Sequence, residues 1–470
     1  MYQKIKEYFK LHRDELLNSI MDVIRIPSVN GEELPDMPFG EGNARVLSFV
    51  QELAVKMGMK AEILENKVMY VDLNNARTEL DILAHLDVVP PGEGWTVTNA
   101  FEPVIKEGRL YGRGASDDKG PAIAALYAMS AVKNLGIPLK KNVRLILGAD
   151  EETGCRDTAC YYRHYQEAPC SFSPDAEYPL INVEKGGLYT KYNAKWKESE
   201  ALPRILSLKG GTVGNVIPNR AEAVIEGIKK EVIEAVLKTA EDETEISFEL
   251  FSLEKELQYR IRATGRSAHA STQWEGKNAV TGLIHAILKL PLVPCEGLTV
   301  LKGLAEIFPH KDYYGNAAGV AQKDEISGEL TIGTNVIDYQ LDGLVGRIDC
   351  RTPICATKEN VLDVLTEKLF KIGIELAPES KMTPPHYVPE ESSFIQSLLS
   401  CYETVMGEKG YCMAIGGGTY AHYLKNGVAF GCMKLGTDYH MHGADEFLII
   451  DEIIKSAELF ALAISEICGK

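Results

Sequence analysis

Residues 120–152 read GPAIAALYAMSAVKNLGIPLKKNVRLILGADEE, and the fold class follows from this stretch. Its first part predicts a buried helix from Gly120 to Leu135, because alanine and leucine fill the body and Pro121 stands in the first turn, where proline is tolerated. A glycine and a proline then end the helix. The next residues, Asn142 to Gly148, form a mostly apolar run that is typical of a strand buried on both faces.

The pattern on either side of this stretch predicts an interrupted α/β chain. A β-rich apolar run from Leu80 to Ala84 precedes the helix, and the order strand, helix, strand indicates a mainly parallel sheet with helices on both faces. Parallel-sheet signals return after Pro384, whereas short β-like runs and a few helical patterns between them give an α+β pattern. A chain of 470 residues also exceeds one ordinary core. We therefore predict one domain from residues 1–185 and 383–470, interrupted by an inserted α+β domain of residues 186–382.

Composition excludes several classes of function. The formal net charge is −17, and without clustered lysine and arginine this charge disfavours nucleic acid or anionic lipid as a partner. The sequence has no run of about 18 or more apolar residues, which argues against a membrane span, and its first residues lack the apolar core and cleavage site that are typical of a signal peptide. Ten cysteines lack a compact framework, and Cys155 and Cys160 have no second pair nearby to complete a zinc ribbon. We expect reduced thiols and a cytoplasmic protein.

Four polar clusters interrupt the pattern at strand ends, a helix start and a turn. In an open α/β sheet, the carboxyl ends of the strands form the crevice where ligands bind. Each cluster alone is typical of an ordinary cap or solvated turn, but four of them together would repel one another unless a cation sat among them. Mixed histidine and carboxylate ligands suit zinc, manganese or cobalt. The clusters are His85-Leu86-Asp87, residues 116–120 (SDDKG), Asp150-Glu151-Glu152 and residues 174–177 (PDAE).

These clusters lie in longer motifs that resemble a known family. The series HLDVVPPGEGW (85–95), LYGRGASDDKGP (110–121), GADEETG (148–154), SPDAEYPLINVEKGG (173–187) and MHGADE (441–446) is similar to the co-catalytic metallopeptidases that include carnosinase, aminoacylase and succinyl-diaminopimelate desuccinylase. The PepV-like dipeptidase branch shares the chain length and the wording around Trp95, Asp117 and Asp175. The motifs run from Ile26 to Glu446, so the resemblance covers nearly the whole chain.

The resemblance implies a centre with two divalent metal ions, zinc first, with manganese or cobalt as alternatives. Asp117 would bridge the two metals. One metal would also bind Glu152 and His442, and the other would bind His85 and Asp175.

Two further carboxylates gain roles from the same resemblance. Asp87 would fix the tautomer of His85 and raise its basicity. Glu151 would be the general base, which takes a proton from the bridging water and later passes it to the leaving amine.

Two assignments within these motifs keep an alternative. His440 competes with His442, and the family spacing before the final acidic pair favours His442. Asp118 competes with Asp117, and the family places the ligand two residues before the lysine, which favours Asp117. Family members often carry a cis peptide after that ligand, so we expect one between Asp117 and Asp118.

The inserted domain resembles the family's lid and would supply substrate-binding groups. His269, in GRSAHAS (265–271), would stabilise the oxyanion of the tetrahedral intermediate. Asn215 lies in the lid's asparagine motif, and Arg351 would grip the substrate carboxylate. Gly417 and Gly418 would let the backbone approach the substrate, because glycine adds no side-chain bulk.

We therefore predict a metal-dependent dipeptidase that hydrolyses short unblocked peptides, with a small peptide as its partner. An N-acyl-amino-acid deacylase or desuccinylase would use the same metal site and stays as an alternative. A non-catalytic, metal-stabilised binding protein is a further alternative, disfavoured because Glu151 and His269 are both present. The insertion of roughly 195 residues resembles branches whose lid reaches its own active site, which favours a monomer and leaves a dimer open.

Overall fold

The computed structural model describes residues 1–469, which contain eleven α-helices and 23 strands. The α-helices are α1 (Tyr2–Leu11), α2 (Arg13–Ile24), α3 (Glu41–Lys56), α4 (Lys119–Asn134), α5 (Arg156–His164), α6 (Lys230–Thr244), α7 (Ala279–Ile287), α8 (Glu296–Ile307), α9 (Leu362–Lys371), α10 (Ser393–Met406) and α11 (Ile450–Cys468). The strands are β1 (Lys60–Leu64), β2 (Val68–Asp72), β3 (Thr78–His85), β4 (Val104–Lys106), β5 (Arg109–Tyr111), β6 (Asn142–Gly148), β7 (Cys170–Ser173), β8 (Leu180–Glu184), β9 (Gly186–Lys195), β10 (Arg204–Gly210), β11 (Arg220–Glu226), β12 (Ser247–Ser252), β13 (Gln258–Thr264), β14 (Lys323–Asp324), β15 (Gly328–Glu329), β16 (Thr331–Gln340), β17 (Gly343–Thr352), β18 (Glu375–Leu376), β19 (Met382–Thr383), β20 (His386–Tyr387), β21 (Cys412–Ile415), β22 (Gly427–Ala429) and β23 (Phe447–Ile449).

The chain divides into two compact units. The first unit consists of Met1–Val183, Tyr387–Met413 and the residues from Gly418 onward. The second unit consists of Glu184–His386 together with the short segment Ala414–Gly417.

The main sheet of the first unit is parallel at its centre and antiparallel at its edges. The strand order is β1-β2-β6-β3-β7-β22-β8, and β6, β3, β7 and β22 pair in parallel. β1, β2 and β8 pair antiparallel to their neighbours. The edge hairpin has a local cause, because only residues 65–67 separate β1 from β2, with φ of 49° and 50° at Glu65 and Asn66, and so short a loop joins only antiparallel strands.

Both faces of this sheet are buried, as the α/β prediction requires. Alternate side chains of β2, β3 and β6 point to opposite faces. Met69, Ile82 and Leu145 belong to the large core that helices α1 to α4, α10 and α11 cover. Tyr70 and Ile146 belong to a smaller core on α5 and the 3-10 turn Tyr420–Tyr423.

Three parallel strands place the polar clusters at one edge of the sheet. β3 ends at His85, β6 ends two residues before Asp150, and β7 ends two residues before Asp175. Helix α4 begins at Lys119, directly after the Asp117-Asp118 pair. Because parallel strands end at the same edge of a sheet, these four segments converge.

The second unit has an α+β architecture of its own. Its antiparallel sheet runs β12-β13-β11-β10-β16-β17-β9-β18. Helices α6 to α9 share one hydrophobic core with this sheet. β9 alternates buried and exposed residues along most of its length, which is typical of a sheet with one solvated face.

Two predictions made from composition can be compared with the structure. All ten cysteines are free thiols, as expected. Within residues 1–469, no helix is both long enough and apolar enough to cross a membrane.

Candidate metal centre

Asp117 lies between two groups of metal-ligating side chains in the first unit. One group is His85, Asp117 and Asp175, and the other is Asp117, Glu152 and His442. In each group the candidate ligand atoms lie within 4.8 Å of one another. The five residues predicted as metal ligands are therefore brought together.

The two oxygens of Asp117 face different groups. His85 Nε2 lies 3.0 Å from Oδ1 of Asp117 and 3.5 Å from Oδ2 of Asp175. His442 Nε2 lies 2.9 Å from Oδ2 of Asp117 and 3.2 Å from Oε1 of Glu152. One carboxylate with its oxygens turned to separate ligand groups is the arrangement that a bridging ligand requires.

The electrostatics of the cluster fit divalent cations. Burial raises the pKa of Glu151 well above its ordinary value, and the nearby Asp175, Glu152 and Asp117 carboxylates raise it further. Hydrogen bonds to Asp117 and Glu152 raise the pKa of His442 to about 11. Crowded carboxylates raise one another's pKa because like charges repel, and bound divalent cations would relieve that repulsion.

His85 gives a second test of the fit. Its Nε2 is buried and faces two carboxylates, yet it makes no well-directed hydrogen bond. Buried polar atoms normally have a partner, and imidazole nitrogen is a ligand of zinc, manganese and cobalt sites. The residues present therefore fit a pair of such ions.

Asp87 contacts the candidate centre through both its backbone carbonyl and its carboxylate. His85 Nδ1 lies 3.0 Å from the backbone carbonyl oxygen of Asp87 and 3.5 Å from its carboxylate. The carbonyl is thus the nearer partner that orients the imidazole, where the sequence favoured the carboxylate. The carboxylate instead accepts the backbone N–H groups of Glu151 and Glu152, at 3.2 and 3.1 Å.

For each of the two alternatives left open by the sequence, Asp117 or Asp118 and His442 or His440, only the first residue lies among the candidate ligands. Asp117 faces both histidines, whereas Asp118 Oδ2 accepts the backbone N–H of His85 at 3.0 Å. The peptide bond between Asp117 and Asp118 is cis, as expected. His442 joins the cluster, and the ring of His440 packs edge-on against Phe447 at 5.8 Å.

A buried ion pair, which was not predicted from the sequence, joins the loop before α4 to the loop that carries His442. Arg113 Nη1 donates to Oε2 of Glu446 at 2.5 Å, and both side chains are only 1% exposed. Oε1 of Glu446 accepts the N–H groups of Gly114, Ser116 and Asp117 at 3.0 to 3.3 Å. Arg113 also donates to the carbonyl of Gly443, next to His442, at 2.9 Å. Both charged residues lie within motifs that the sequence analysis identified, Arg113 in GRG and Glu446 in MHGADE. The residues next to each of them in the sequence give no indication that the two charges pair.

The second unit brings together the predicted groups of the inserted domain. Val216 and His269 form an antiparallel bridge, and the N–H of Ala270 donates to the carbonyl of Asn215 at 2.9 Å. His269 Nδ1 lies 2.6 Å from the hydroxyl of Ser271.

Arg351 and the glycine segment also meet within the second unit. The guanidinium donates to Asp349 at 2.8 and 3.0 Å and to the carbonyl of Gly416 at 2.6 Å. Gly417 follows Gly416 in the same unit, and Gly418 begins the next segment of the first unit. A side chain at position 416 would lie 2.4 Å from Cβ of Ser271, so this close packing requires glycine.

Comparison with known proteins identifies the family. The profile of Peptidase family M20/M25/M40 matches residues 82–466, and the chain belongs to this family. It is a metal-dependent hydrolase that acts on peptide bonds.

Relatives of similar length carry dipeptidase names. YtjP of Bacillus subtilis (strain 168), provisionally named a dipeptidase, is 34% identical over 466 residues, covering 97% of each chain. The Beta-Ala-Xaa dipeptidase of Lactobacillus delbrueckii subsp. lactis is 32% identical over 467 residues, covering 98% of each chain.

Solved structures confirm the fold. Human carnosine dipeptidase 1 aligns with a TM-score of 0.63 at 14% identity, covering 100% of this chain and 99% of that one. The aminoacylhistidine dipeptidase of Vibrio alginolyticus aligns with a TM-score of 0.58 at 15% identity, covering 96% of each chain.

Proposed function

We propose that this protein is a dinuclear metal-dependent dipeptidase that hydrolyses short unblocked peptides. The observation that carries the proposal is the Asp117 carboxylate, whose two oxygens face separate ligand groups. The dipeptidase names of full-length relatives at 34% and 32% identity support the substrate class.

In this proposal, five side chains hold the ions. His85 and Asp175 would hold one ion and Glu152 and His442 the other, with Asp117 shared between the two groups. When bound, two divalent ions would polarise the scissile carbonyl and lower the pKa of the attacking water.

Glu151 moves the proton. Its carboxylate takes a proton from the attacking water and later delivers it to the leaving amine. Burial raises the pKa of the Glu151 carboxyl group, and a general base works best when its pKa lies near the operating pH. Asp87 keeps the carboxylates of Glu151 and Glu152 in place by accepting both backbone N–H groups.

The second unit supplies substrate recognition in this proposal. Arg351 already directs three of its five N–H groups to Asp349 and Gly416, which leaves two for a substrate carboxylate. His269 stabilises the oxyanion, and Asn215 together with Gly417 and Gly418 contacts the peptide backbone.

Three further points of the proposal rest on the sequence. The first unit is the catalytic domain, and the second is the lid. The long insertion favours a monomer, which size-exclusion chromatography with light scattering tests directly. A cytoplasmic location belongs to the same proposal, because ten free thiols suit a reducing compartment.

The test is hydrolysis of a substrate panel by metal-stripped protein, with zinc or manganese added back. The panel contains free dipeptides, a free tripeptide, and N-acetyl and N-succinyl amino acids. We expect metal-dependent cleavage confined to the free dipeptides. Cleavage of only the N-acyl compounds would move the assignment to a deacylase, and silence with both metals would favour a non-catalytic binding protein.

A pair of variants separates chemistry from metal binding. Glu151→Gln should lower kcat by about 10²- to 10⁴-fold, the usual contribution of a proton-transfer group, while the metal content stays unchanged. Glu52→Gln removes an exposed carboxylate on α3 of the same unit and serves as the matched control. A Glu151→Gln enzyme with near-normal kcat would exclude Glu151 as the base.

A further inference from the structure

A third group of metal-ligating side chains lies in the first unit, and it shares no residue with the two groups around Asp117. Its members are Glu65, Cys160 and His164, whose candidate ligand atoms lie within 4.8 Å of one another. None of the five family motifs contains any of these residues. The proposed reaction does not use them.

Two local structures bring the three side chains together. Helix α5 carries Cys160 and His164 four residues apart, so both project from the same face. The tight turn between β1 and β2 presents Glu65 to that face. His164 Nε2 lies 3.4 Å from Oε1 of Glu65, and Sγ of Cys160 lies within 4.8 Å of the candidate ligand atoms of both residues.

The donor set is that of a zinc-type ion. Thiolate, imidazole and carboxylate are its usual protein ligands, and two such ligands about 2.0 Å from a tetrahedral ion lie about 3.3 Å apart. The observed 3.4 Å between His164 and Glu65 therefore suits an ion with little rearrangement. Two cations lie beside the other carboxylate oxygen, Oε2, with Lys67 Nζ at 2.8 Å and Arg163 Nη2 at 3.6 Å. Oε1 is therefore the oxygen that would face the ion.

The solvent exposure of two of the three side chains would let an ion reach the group. Cys160 is fully buried, but the side chains of His164 and Glu65 are 52% and 44% exposed. An ion held by the three would have solvent on one side, where a water molecule can supply the fourth ligand.

We propose that Glu65, Cys160 and His164 form a separate structural site for a divalent zinc-type ion. The bond that forms is between the metal and Sγ of Cys160, and the thiol proton passes to solvent. The ion fastens the end of α5 to the β1–β2 turn. Because none of the three residues belongs to the groups around Asp117, the expected effect is on stability rather than on the chemical step.

Cobalt(II) gives a test that the catalytic centre cannot mimic. A cobalt–thiolate bond produces a charge-transfer band in the near ultraviolet, and the five side chains proposed to hold the catalytic ions include no thiol. We expect metal-free protein titrated with cobalt(II) in thiol-free buffer to develop this band, with an amplitude that corresponds to one bound ion. The band should be absent in Cys160→Ser and should persist in Cys355→Ser, which removes an exposed thiol of the second unit.

Variants of the exposed ligands keep the test valid if Cys160→Ser does not fold. His164→Ala and Glu65→Gln should each weaken cobalt binding by at least about tenfold, since one of three protein ligands is lost. Zinc should also raise the Tm of the wild type more than that of His164→Ala. The proposal is overturned by a wild-type protein without the band, by a band that survives in Cys160→Ser, or by unchanged cobalt affinity in His164→Ala.

Discussion

Glu446→Gln tests how the buried Arg113–Glu446 pair organises the metal centre. The pair joins the loop before α4, which carries Asp117, to the loop that carries His442. Glutamine keeps the shape of the side chain but places an amide N–H₂ either against the guanidinium or against the backbone N–H groups. In both orientations, donors face donors, and Arg113 is left as a buried charge without its counter-ion.

The size of this effect follows from the burial of the pair. Both side chains are 1% exposed, so solvent cannot screen the loss. Removing one partner of a buried pair costs about 3–5 kcal/mol. At about 2–4 °C per kcal/mol, the Tm of the first unit should fall by about 6–20 °C.

Thermal unfolding, kcat and bound metal should be measured on the wild type, Glu446→Gln and two control variants. Glu52→Gln is the control for an exposed carboxylate, and the double variant Arg113→Met with Glu446→Gln removes the orphaned charge. We expect the double variant to recover much of the Tm, because replacing a buried pair with neutral groups is often tolerated. It should not recover metal affinity, because the loop's carboxylate acceptor is still missing. A Glu446→Gln protein within about 2 °C of the wild type, with normal metal content, would show that the pair does not organise the centre.

Three other contacts lead to shorter predictions. Asp87→Asn should weaken metal binding by about 10- to 100-fold, measured by competition with a chelating dye; unchanged affinity would show that Asp87 does not organise the centre. Arg351→Lys keeps the charge but loses the planar fork, so KM for a dipeptide should rise by about 10-fold or more, while KM for the dipeptide amide changes little; equal changes would exclude a carboxylate contact. Burial raises the pKa of Asp81 to about 7, so the folded protein holds this proton from about pH 4 to 7 while the unfolded chain releases it. The free energy of unfolding of the wild type therefore falls as pH rises through that window. Asparagine has no proton to lose, so the free energy of unfolding of Asp81→Asn should exceed that of the wild type by up to about 4 kcal/mol at about pH 8 but not at about pH 4. Urea unfolding measures this difference, and the same difference between the two proteins at about pH 4 and about pH 8 would contradict the prediction.

Strongly patterned segments could be predicted from the sequence almost to the residue. The helix predicted as Gly120 to Leu135 spans Lys119–Asn134, and the strand Asn142–Gly148 has the predicted bounds. Both segments are apolar nearly throughout, so burial on every side is encoded locally. Three of the candidate ligands, His85, Asp117 and Glu152, could be found for a related reason, because each lies beside such a segment. Asp175 lies in a turn-rich stretch, and His442 was predicted only from the family motif around it.

Features that depend on distant partners could not be predicted. Arg113 and Glu446 are 333 residues apart, and periodicity contains no information on which buried charges pair. The segment Ala414–Gly417 belongs to the second unit although the chain on both sides belongs to the first. The spacing of Cys160 and His164 was visible, but Glu65 approaches them only because a hairpin folds back, so no metal role was predicted for them.

A dinuclear centre can be tested by an anomalous difference map from a crystal of the zinc-loaded protein, collected at the zinc edge. We expect two strong peaks, one on each side of the Asp117 carboxylate, with His85 and Asp175 beside one peak and Glu152 and His442 beside the other. A single peak in this region, or two peaks that do not share Asp117, would contradict the proposed centre.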